Sequence, residues 1–208
     1  MYTILQHIID YLFPPTKEEV RIRSIPIDWL NMNCKKALQT EFPFIKAVFS
    51  YKDPLIKELI WQIKYKKNAH AIACGAYALY SELNKYKYTL TLIPIPISKE
   101  RRKERGYNQC ELIIDEILKL DRENIFIKDY NILTREKDIE KQTHKNRNER
   151  ISNTKHIFKV NMKNDVNDLN QKIIIIDDVT TTGSTLKEAR DELLRVGYTD
   201  VRALTIAH

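Results

Sequence analysis

The chain has 208 residues, of which 43% are hydrophobic and 30% are charged. This balance is typical of a soluble globular protein with one sizeable core, and the longest apolar runs are far too short to span a membrane. The net charge of +7 favours an anionic partner, such as a phosphate-rich metabolite or a nucleic acid, although a lysine-rich surface explains it equally well. The three cysteines form no Cys-x-x-Cys pair, which argues against a zinc site and fits a cytoplasmic protein.

Residues 1–41 differ in composition from the rest of the chain, and we predict that they form a small helical N-terminal extension. Ile4, Leu5, Ile8 and Leu12 share one helical face, which predicts a docking helix. A second helix is predicted at residues 29–38. Residues 42–208 are predicted to form the main domain.

From residue 42 onward, strand and helix patterns alternate. The predicted strands cover residues 47–51, 89–95, part of 125–133, 157–160, 173–176 and 201–207, and the predicted helices cover 54–63, 69–83, 107–120 and 186–196. This alternation indicates an α/β fold with a mainly parallel central sheet flanked by helices. The highly charged residues 134–155 are predicted to be a solvated helix or a mobile loop.

A basic segment follows the predicted strand at residues 89–95. Pro94 and Pro96 cannot donate to a neighbouring strand, so strand pairing should stop there. Five cations then occur within residues 99–105. We predict a basic loop that meets a pyrophosphate, since guanidinium groups bind phosphate bidentately. Taken alone, the run is more typical of a solvated, charged turn.

The strongest functional signal lies at residues 173–185. Four consecutive isoleucines at 173–176 predict a strand that is buried on both faces, as in a parallel sheet. Asp177 and Asp178 follow this strand, and a hydroxyl-rich loop at residues 180–185 then leads into a helix. Ligands of open α/β sheets bind at the carboxyl ends of strands, and the start of a helix suits a phosphate. The carboxylates suit sugar hydroxyls or the waters around a metal, so a phosphorylated sugar is the predicted ligand.

Two other interpretations of this segment were open. A buried strand followed by a polar turn and a capped helix would have no ligand at all. A nucleotide-hydrolase metal strand would need the partner loop G-x-x-x-x-G-K-[ST], which the chain lacks.

The segment resembles the signature of the type I phosphoribosyltransferases, which bind phosphoribosyl pyrophosphate (PRPP). The resemblance implies that Asp177 and Asp178 hold the ribose hydroxyls. It implies that the 5′-phosphate is bound by the loop residues Thr180, Thr181, Thr182, Gly183, Ser184 and Thr185. Mg²⁺ is expected to arrive with PRPP, held by the substrate phosphates and by water.

The chain also resembles the ComF family, a phosphoribosyltransferase-like group tied to bacterial competence. The resemblance covers residues 44–208. It rests on the Pro-x-Pro run with its basic residues, on Arg-Gly-Tyr-Asn-Gln at 105–109, and on the order of Arg135, Gln142, Arg150, Asn153 and Phe158. Family members often begin with a zinc ribbon built on paired cysteines, where this chain has only Cys34.

The ComF resemblance also implies a set of site residues. The residues expected to face the pyrophosphate are Ile95, Pro96 and Arg105. Those expected to border the site are Tyr107, Asn108, Gln109, Gln142, Arg150 and Asn153.

Three functions fit these observations. The first is a phosphoribosyltransferase, of the glycosyltransferase class, that serves DNA uptake and acts on an acceptor the sequence does not identify. The second is a PRPP-sensing regulator without turnover, since folds keep ligand sites while changing their use. The third is a competence protein that handles single-stranded DNA through Lys64, Tyr65, Lys66, Lys67 and the 99–105 run. The expected partners are PRPP and, in the third case, single-stranded DNA or competence proteins, with no membrane contact.

Overall fold

The computed structural model describes residue 11 and residues 14–136, 157–161 and 169–208. The predicted helix on Ile4, Leu5, Ile8 and Leu12 lies outside the described residues, as does most of the charged segment 134–155.

Seven strands and seven helices are present in the described part of the chain. The strands are β1 (Ile45–Phe49), β2 (Leu90–Pro94), β3 (Phe126–Lys128), β4 (Leu133–Arg135), β5 (Phe158–Val160), β6 (Lys172–Val179) and β7 (Asp200–Ala207). The helices are α1 (Lys17–Ser24), α2 (Trp29–Asn33), α3 (Pro54–Trp61), α4 (Ala69–Leu83), α5 (Lys99–Arg105), α6 (Gln109–Leu120) and α7 (Ser184–Arg195). A π-helical turn, Gln62–Lys66, continues α3 directly.

The central sheet has the order β1-β7-β6-β2-β3, and all of its neighbouring strands are parallel. β4 and β5 form a separate antiparallel pair. The predicted α/β fold with a mainly parallel sheet is confirmed. In a parallel sheet the carboxyl ends of neighbouring strands share one edge, so the residues that follow β2, β6 and β7 lie at the same edge.

The isoleucines of β6 pack into both layers of the hydrophobic core, one on each face of the sheet. Side chains alternate along a strand, so Ile174 and Ile176 face one layer of the core, which contains residues of α3, α4 and α6. Ile173 and Ile175 face the other layer, where Leu186 of α7 is buried. A strand buried on both faces explains why the sequence shows an unbroken apolar run here instead of alternation.

The N-terminal segment packs on the main core. Ile22 of α1 and Leu30 of α2 are buried in the same layer as Ile56. The predicted helix at residues 29–38 is wrong in its second half, because α2 ends at Asn33. The chain then becomes extended and bonds to β1: the amide of Ala37 donates to the carbonyl of Val48 over 3.0 Å. Pairing with the sheet edge has replaced the helical hydrogen bonds.

The prediction of a basic loop at residues 99–105 is also wrong, since this run forms α5. Lysine, arginine and glutamate are good helix formers. The hydroxyl of Ser98 caps the helix by accepting from the amide of Arg101 at 3.2 Å. Gly106 ends it in the left-handed region, with φ +78°. The high charge density reflected an exposed helix and not an irregular loop.

Candidate functional site

The two acids of the 173–185 segment lie at the carboxyl end of β6, in the middle of the sheet. Asp177 is opposite Thr205 of β7, and the amide of Ile95 donates to the carbonyl of Ile176 over 2.9 Å. Asp177 is partly buried, whereas Asp178 is only 2% exposed. Because successive side chains of a strand point to opposite faces, the two carboxylates have different surroundings.

Asp178 is a buried carboxylate with one oxygen in use. Its Oδ1 lies 3.2 Å from the ammonium of Lys64, on the π-helical turn. Its Oδ2 is buried and has no hydrogen-bond partner among the described residues. Buried polar atoms in native proteins are nearly always bonded to protein, water or ligand. This oxygen can therefore accept a further hydrogen bond, from an ordered water or from a ligand.

The ionised form of Asp177 is disfavoured by its surroundings. Its Oδ1 accepts from the amide of Asp178 at 2.8 Å, and from the thiol of Cys110 at 3.7 Å. Burial, followed by the neighbouring charge of Asp178, raises the pKa of Asp177 well above its usual value, although Lys64 counteracts this. Burial also raises the pKa of Cys110, which keeps this thiol protonated and able to donate. Two adjacent acids in such a site favour a ligand that supplies hydroxyl donors.

The loop after β6 is shaped by Gly183. Its φ is +74°, and a Cβ at this position would lie 2.7 Å from a ring carbon of Phe42 and 2.8 Å from Cδ1 of Ile45. Only glycine fits both the backbone conformation and the space. The close contact with Phe42 and Ile45 fixes the point at which the loop turns into α7.

Donors of the predicted phosphate loop are exposed at the start of α7. The first intrahelical bond is made by the amide of Lys187 to Gly183, and the amide of Ser184 donates to the hydroxyl of Thr182 at 3.4 Å, so the amides of Thr185 and Leu186 are left without an acceptor within the helix. The hydroxyls of Thr182 and Ser184 lie 2.8 Å apart. The side chains of the loop are exposed apart from Thr180 and Gly183. Amides, hydroxyls and a helix dipole at one place suit a phosphate.

Thr180 has a different environment from the rest of the loop. Its amide donates to the carbonyl of Ala207 at 3.0 Å, and its carbonyl lies 3.3 Å from Nδ1 of His208. These contacts tie the beginning of the loop to the end of β7. Thr180 therefore anchors the loop, and the donors available to a ligand come after it.

Tyr107 of the Gly-Tyr-Asn-Gln run docks on the π-helical turn. Its hydroxyl donates to the carbonyl of Ile63 at 2.8 Å and accepts from the amide of Lys67 at 3.2 Å. Lys67 ends the turn in the left-handed conformation, with φ 47°. The predicted border residue is thereby connected to the turn that carries Lys64.

Of the residues predicted on the pyrophosphate side, Ile95 is bonded to β6 directly before the acids. Both main-chain groups of Ile95 are bonded, because its carbonyl accepts from the amide side chain of Asn108 at 3.0 Å and its amide is bound by Ile176. Asn108 also caps α6 by accepting from the amide of Cys110. Asn108 thus fixes the Pro-x-Pro segment against α6. An anion at this place would be met by groups beyond Ile95, since Pro96 has no amide hydrogen.

Arg105 is held between the π-helical turn and α6. Its guanidinium donates to Oε1 of Gln109 at 3.0 Å and lies 5.1 Å from the ring centre of Tyr65. Its Nε is buried without a partner among the described residues. Arg105 therefore connects the buried Gln109 of α6 with Tyr65 of the π-helical turn.

A cleft of about 220 Å³ borders the Pro-x-Pro segment on the side of β4. Its lining includes Pro96, Arg102, Asn108 and Arg135. Arg102 is paired with Glu111 across this cleft. The cleft places further polar groups beside Pro96.

The structure brings Ile95 and Asn108 close to the strand that carries Asp177 and Asp178. Gln142, Arg150 and Asn153 lie outside the described residues. Lys64 was not predicted to contact the acids, and it was assigned only to nucleic-acid binding. The run Ile-Lys-Tyr-Lys at 63–66 has no feature that singles out its first lysine, because the pairing with Asp178 depends on a π-helical turn.

Among residues 11, 14–136, 157–161 and 169–208, no group of three or more His, Cys, Asp or Glu side chains is arranged to hold a metal ion. No helix in this part of the chain is long and apolar enough to cross a membrane. The three cysteines are buried and free.

No family model matches the chain. Competence protein ComFC of Bacillus subtilis (strain 168) is 34% identical over 155 residues, covering 73% of this chain and 58% of that protein. Competence protein F of Haemophilus influenzae is 28% identical over 191 residues, covering 87% and 80%. DNA utilization protein YhgH of Salmonella typhi is 27% identical over 186 residues, covering 86% and 78%.

The chain therefore spans less than two thirds of the length of the Bacillus relative. The alignments to all three relatives nevertheless extend over most of the chain. Taken with the parallel sheet and with the ordered motifs at residues 94–109 and 173–185, these similarities support the assignment of the chain to the ComF family.

Proposed function

We propose that the chain binds PRPP and transfers its phosphoribosyl group to an acceptor, with release of pyrophosphate. The observation that carries this proposal is the buried Asp178, whose Oδ2 has no partner among the described residues and lies on the strand that leads into the loop at 180–185. A ribose 5-phosphate unit has both the hydroxyl donors and the anionic acceptor that would match this arrangement. Its hydroxyls donate to carboxylates, and its phosphate accepts from amides and hydroxyls.

The proposed chemistry is substitution at the anomeric carbon of the ribose. A nucleophile of the acceptor forms a bond to this carbon while the bond to pyrophosphate breaks, and the pyrophosphate leaves with the electron pair. Asp177 and Asp178 orient the ribose through its hydroxyls and do not transfer protons in the reaction. Amides and hydroxyls of residues 181–185 hold the 5′-phosphate, so that the reacting carbon is fixed against the Pro-x-Pro segment.

Mg²⁺ is proposed to enter with PRPP. When bound, it would neutralise the charge that develops on the leaving pyrophosphate. Mg²⁺ gives up its waters reluctantly and is usually held through substrate phosphates, so PRPP and water would supply most of its ligands. The exposed hydroxyls of the loop fit a hydrated, substrate-borne ion.

The biological setting that we propose is DNA uptake. The Bacillus and Haemophilus relatives are named competence proteins, and the Salmonella relative is named a DNA utilization protein. Three free, buried cysteines fit a reducing compartment, and we place the protein in the cytoplasm on that ground.

Titration with a ligand series tests the PRPP proposal. We expect saturable binding of PRPP with Mg²⁺ and of ribose 5-phosphate, measured by calorimetry. Binding of 2-deoxyribose 5-phosphate should be about tenfold weaker or more than that of ribose 5-phosphate, because a hydrogen bond to a charged group contributes about 1.5–3 kcal/mol. Equal affinity for the two sugar phosphates would contradict the role of the acids.

A pyrophosphate-release assay separates the enzyme from a regulator that binds PRPP without turnover. Pyrophosphate should appear when PRPP is supplied with a panel of nucleophiles, including nucleobases, nucleosides and amines. Saturable PRPP binding with no pyrophosphate release across such a panel would favour the regulator.

We also propose a second candidate function, binding of single-stranded DNA, on the outer side of the π-helical turn. Trp61 and Tyr65 are 42% and 52% exposed, and their ring centres are 6.0 Å apart. The ammonium of Lys66 lies 5.2 Å from the Trp61 ring. Exposed aromatic rings flanked by cations are the usual platform for stacking unpaired bases.

Anisotropy of a labelled oligothymidine tests this second function. Trp61→Ala with Tyr65→Ala should weaken binding at least about tenfold, because stacking contributes about 1–3 kcal/mol per base. Tyr11→Ala, which removes a tyrosine that is 86% exposed, is the matched control and should leave the affinity unchanged. Affinity should also fall steeply with salt. Equal losses in both variants, or no dependence on salt, would rule out this surface.

A further inference from the structure

Lys64 makes a contact that the predicted site did not include. Its ammonium lies 3.2 Å from Oδ1 of Asp178, and its side chain is only 18% exposed. Burial of a lysine is costly unless it is paired. The lysine faces two acids, Asp177 and Asp178, whose mutual repulsion in a buried place is also costly. Each partner thus reduces the cost of burying the other.

The turn that carries Lys64 is fixed from several sides. The hydroxyl of Tyr107 bonds to both Ile63 and Lys67, which flank the central part of the turn. The side-chain amide of Asn68 donates to Oε1 of the buried Gln62 at 2.5 Å. Short π-helical segments inside α-helices are frequent at functional sites. Here the bonds from Tyr107 and Asn68 hold the backbone of the turn, and this fixes the position from which the Lys64 side chain extends toward Asp178.

We propose that Lys64 is a positioning residue of the PRPP site: it balances one charge of the acid pair and holds Asp178 so that Oδ2 is left for a ribose hydroxyl. This inference rests on the proposed function, since it assigns a role within the same site. Lys64 acts on the ligand through Asp178 and does not itself contact the reacting atoms.

The titratable groups around the pair come from three elements. Lys64 belongs to the π-helical turn, and Cys110 belongs to α6, with its thiol 3.7 Å from Asp177. His208 follows β7 and lies beside Thr180. Of these groups, Lys64 supplies the positive charge that lowers the pKa of Asp177 against burial and against Asp178, which both raise it.

Removal of Lys64 therefore has a defined effect on pH dependence. Without its charge, the pKa of Asp177 rises further, so more of the pair is protonated at neutral pH. An ionised carboxylate accepts from a hydroxyl better than a protonated one does. PRPP binding should strengthen as pH rises through the pKa of Asp177, and this midpoint should lie at a higher pH when Lys64 is absent.

The experiment compares Lys64→Met and Lys64→Gln with Lys64→Arg and with Lys57→Met, a surface lysine of α3. The first measurement is the ¹³C titration of the Asp177 carboxyl without ligand, and the second is PRPP affinity between pH 6 and 9. We expect Met and Gln to raise the Asp177 midpoint by about one pH unit. They should lower PRPP affinity about tenfold at neutral pH. Arg should restore most of the affinity, and Lys57→Met should match wild type.

Two results would overturn the inference. Loss of PRPP affinity with an unchanged Asp177 midpoint would mean that Lys64 contacts PRPP directly. An unchanged midpoint and unchanged affinity would mean that the ion pair is only structural. If Lys64→Met does not fold, Lys64→Gln, which keeps a donor to Asp178 without the charge, gives the same comparison. Absence of PRPP binding in wild type would end the proposed function, whereas the ligand-free titration would still decide whether Lys64 controls the acids.

Discussion

Asp177→Asn together with Asp178→Asn will lower the affinity for PRPP by at least about 100-fold. Each asparagine is a weaker acceptor than the carboxylate it replaces, and a hydrogen bond to a charged group contributes about 1.5–3 kcal/mol. Above the raised pKa of Asp177, where both acids are ionised, two such bonds amount to about 3–6 kcal/mol, whereas a 100-fold loss requires only about 2.8 kcal/mol. Calorimetry with PRPP and Mg²⁺ measures the effect directly.

The single variant Asp177→Asn should in addition stabilise the protein at alkaline pH. An acid whose pKa is raised by folding contributes stability below its unfolded pKa, and this contribution is lost as pH rises through the folded value. For Asp177 the window begins near 3.8 and extends up to the raised pKa. Asparagine keeps an oxygen for the amide of Asp178 but carries no charge. We expect a gain of roughly 0.5–2 kcal/mol at pH 8–9, with little gain near pH 4.

The matched control for both measurements is Asp191→Asn. This residue pairs with Lys187 on the exposed side of α7, so the substitution removes one acid without touching the site. It should leave both PRPP affinity and the melting temperature close to wild type. PRPP binding that survives in the double variant of Asp177 and Asp178 would refute the role of these acids in holding the ribose.

Gly183→Ala should destabilise the fold by about 2–5 kcal/mol and abolish PRPP binding. The left-handed backbone at φ +74° costs a residue with a Cβ about 1–2 kcal/mol. The overlap with Phe42 and Ile45 adds about 1–3 kcal/mol, as for other overpacked sites. Relief of that overlap must shift the start of α7, and the loop amides would then miss the 5′-phosphate. Denaturant unfolding and PRPP titration are the two measurements.

Gly106→Ala separates the cost of backbone strain from the cost of the overlap with Phe42 and Ile45. Gly106 has nearly the same φ, +78°, but a Cβ there would meet nothing within 4 Å. It should cost only the backbone strain, about 1–2 kcal/mol. Equal losses at the two glycines would show that the contact with Phe42 and Ile45 has no energetic weight.

The elements with strong periodic patterns could be predicted from the sequence. The helix predicted at residues 69–83 agrees with α4, Ala69–Leu83, because apolar positions recur on one face and Asn68 caps it. The isoleucine strand before Asp177 is β6. An unbroken β-branched run followed by acids is a local pattern, so both the strand and the place of the acids at its carboxyl end could be predicted without the structure.

The errors and omissions depend on contacts between distant parts of the chain. The extended segment after Asn33 is set by pairing with β1, which no local propensity indicates. The run at 99–105 forms a helix because its residues are good helix formers and Ser98 caps it, a local signal that its high charge obscures. The contact between Lys64 and Asp178 was not foreseeable, since a π-helical turn decides which lysine reaches the acids.

The two parts of the candidate site differ in local stability, because the acids lie on the central strand β6 and the loop at 180–185 lies outside the sheet. β6 is paired with β2 over residues 173–176 and with β7 over residues 172–179. Amide protons in such a strand exchange with solvent only when the whole sheet opens, whereas exposed loops such as the one around Thr182 open at a small fraction of that free energy. We therefore expect the carboxylates proposed to hold the ribose to stay in place until the sheet unfolds, whereas the loop proposed to hold the phosphate should open at a lower temperature.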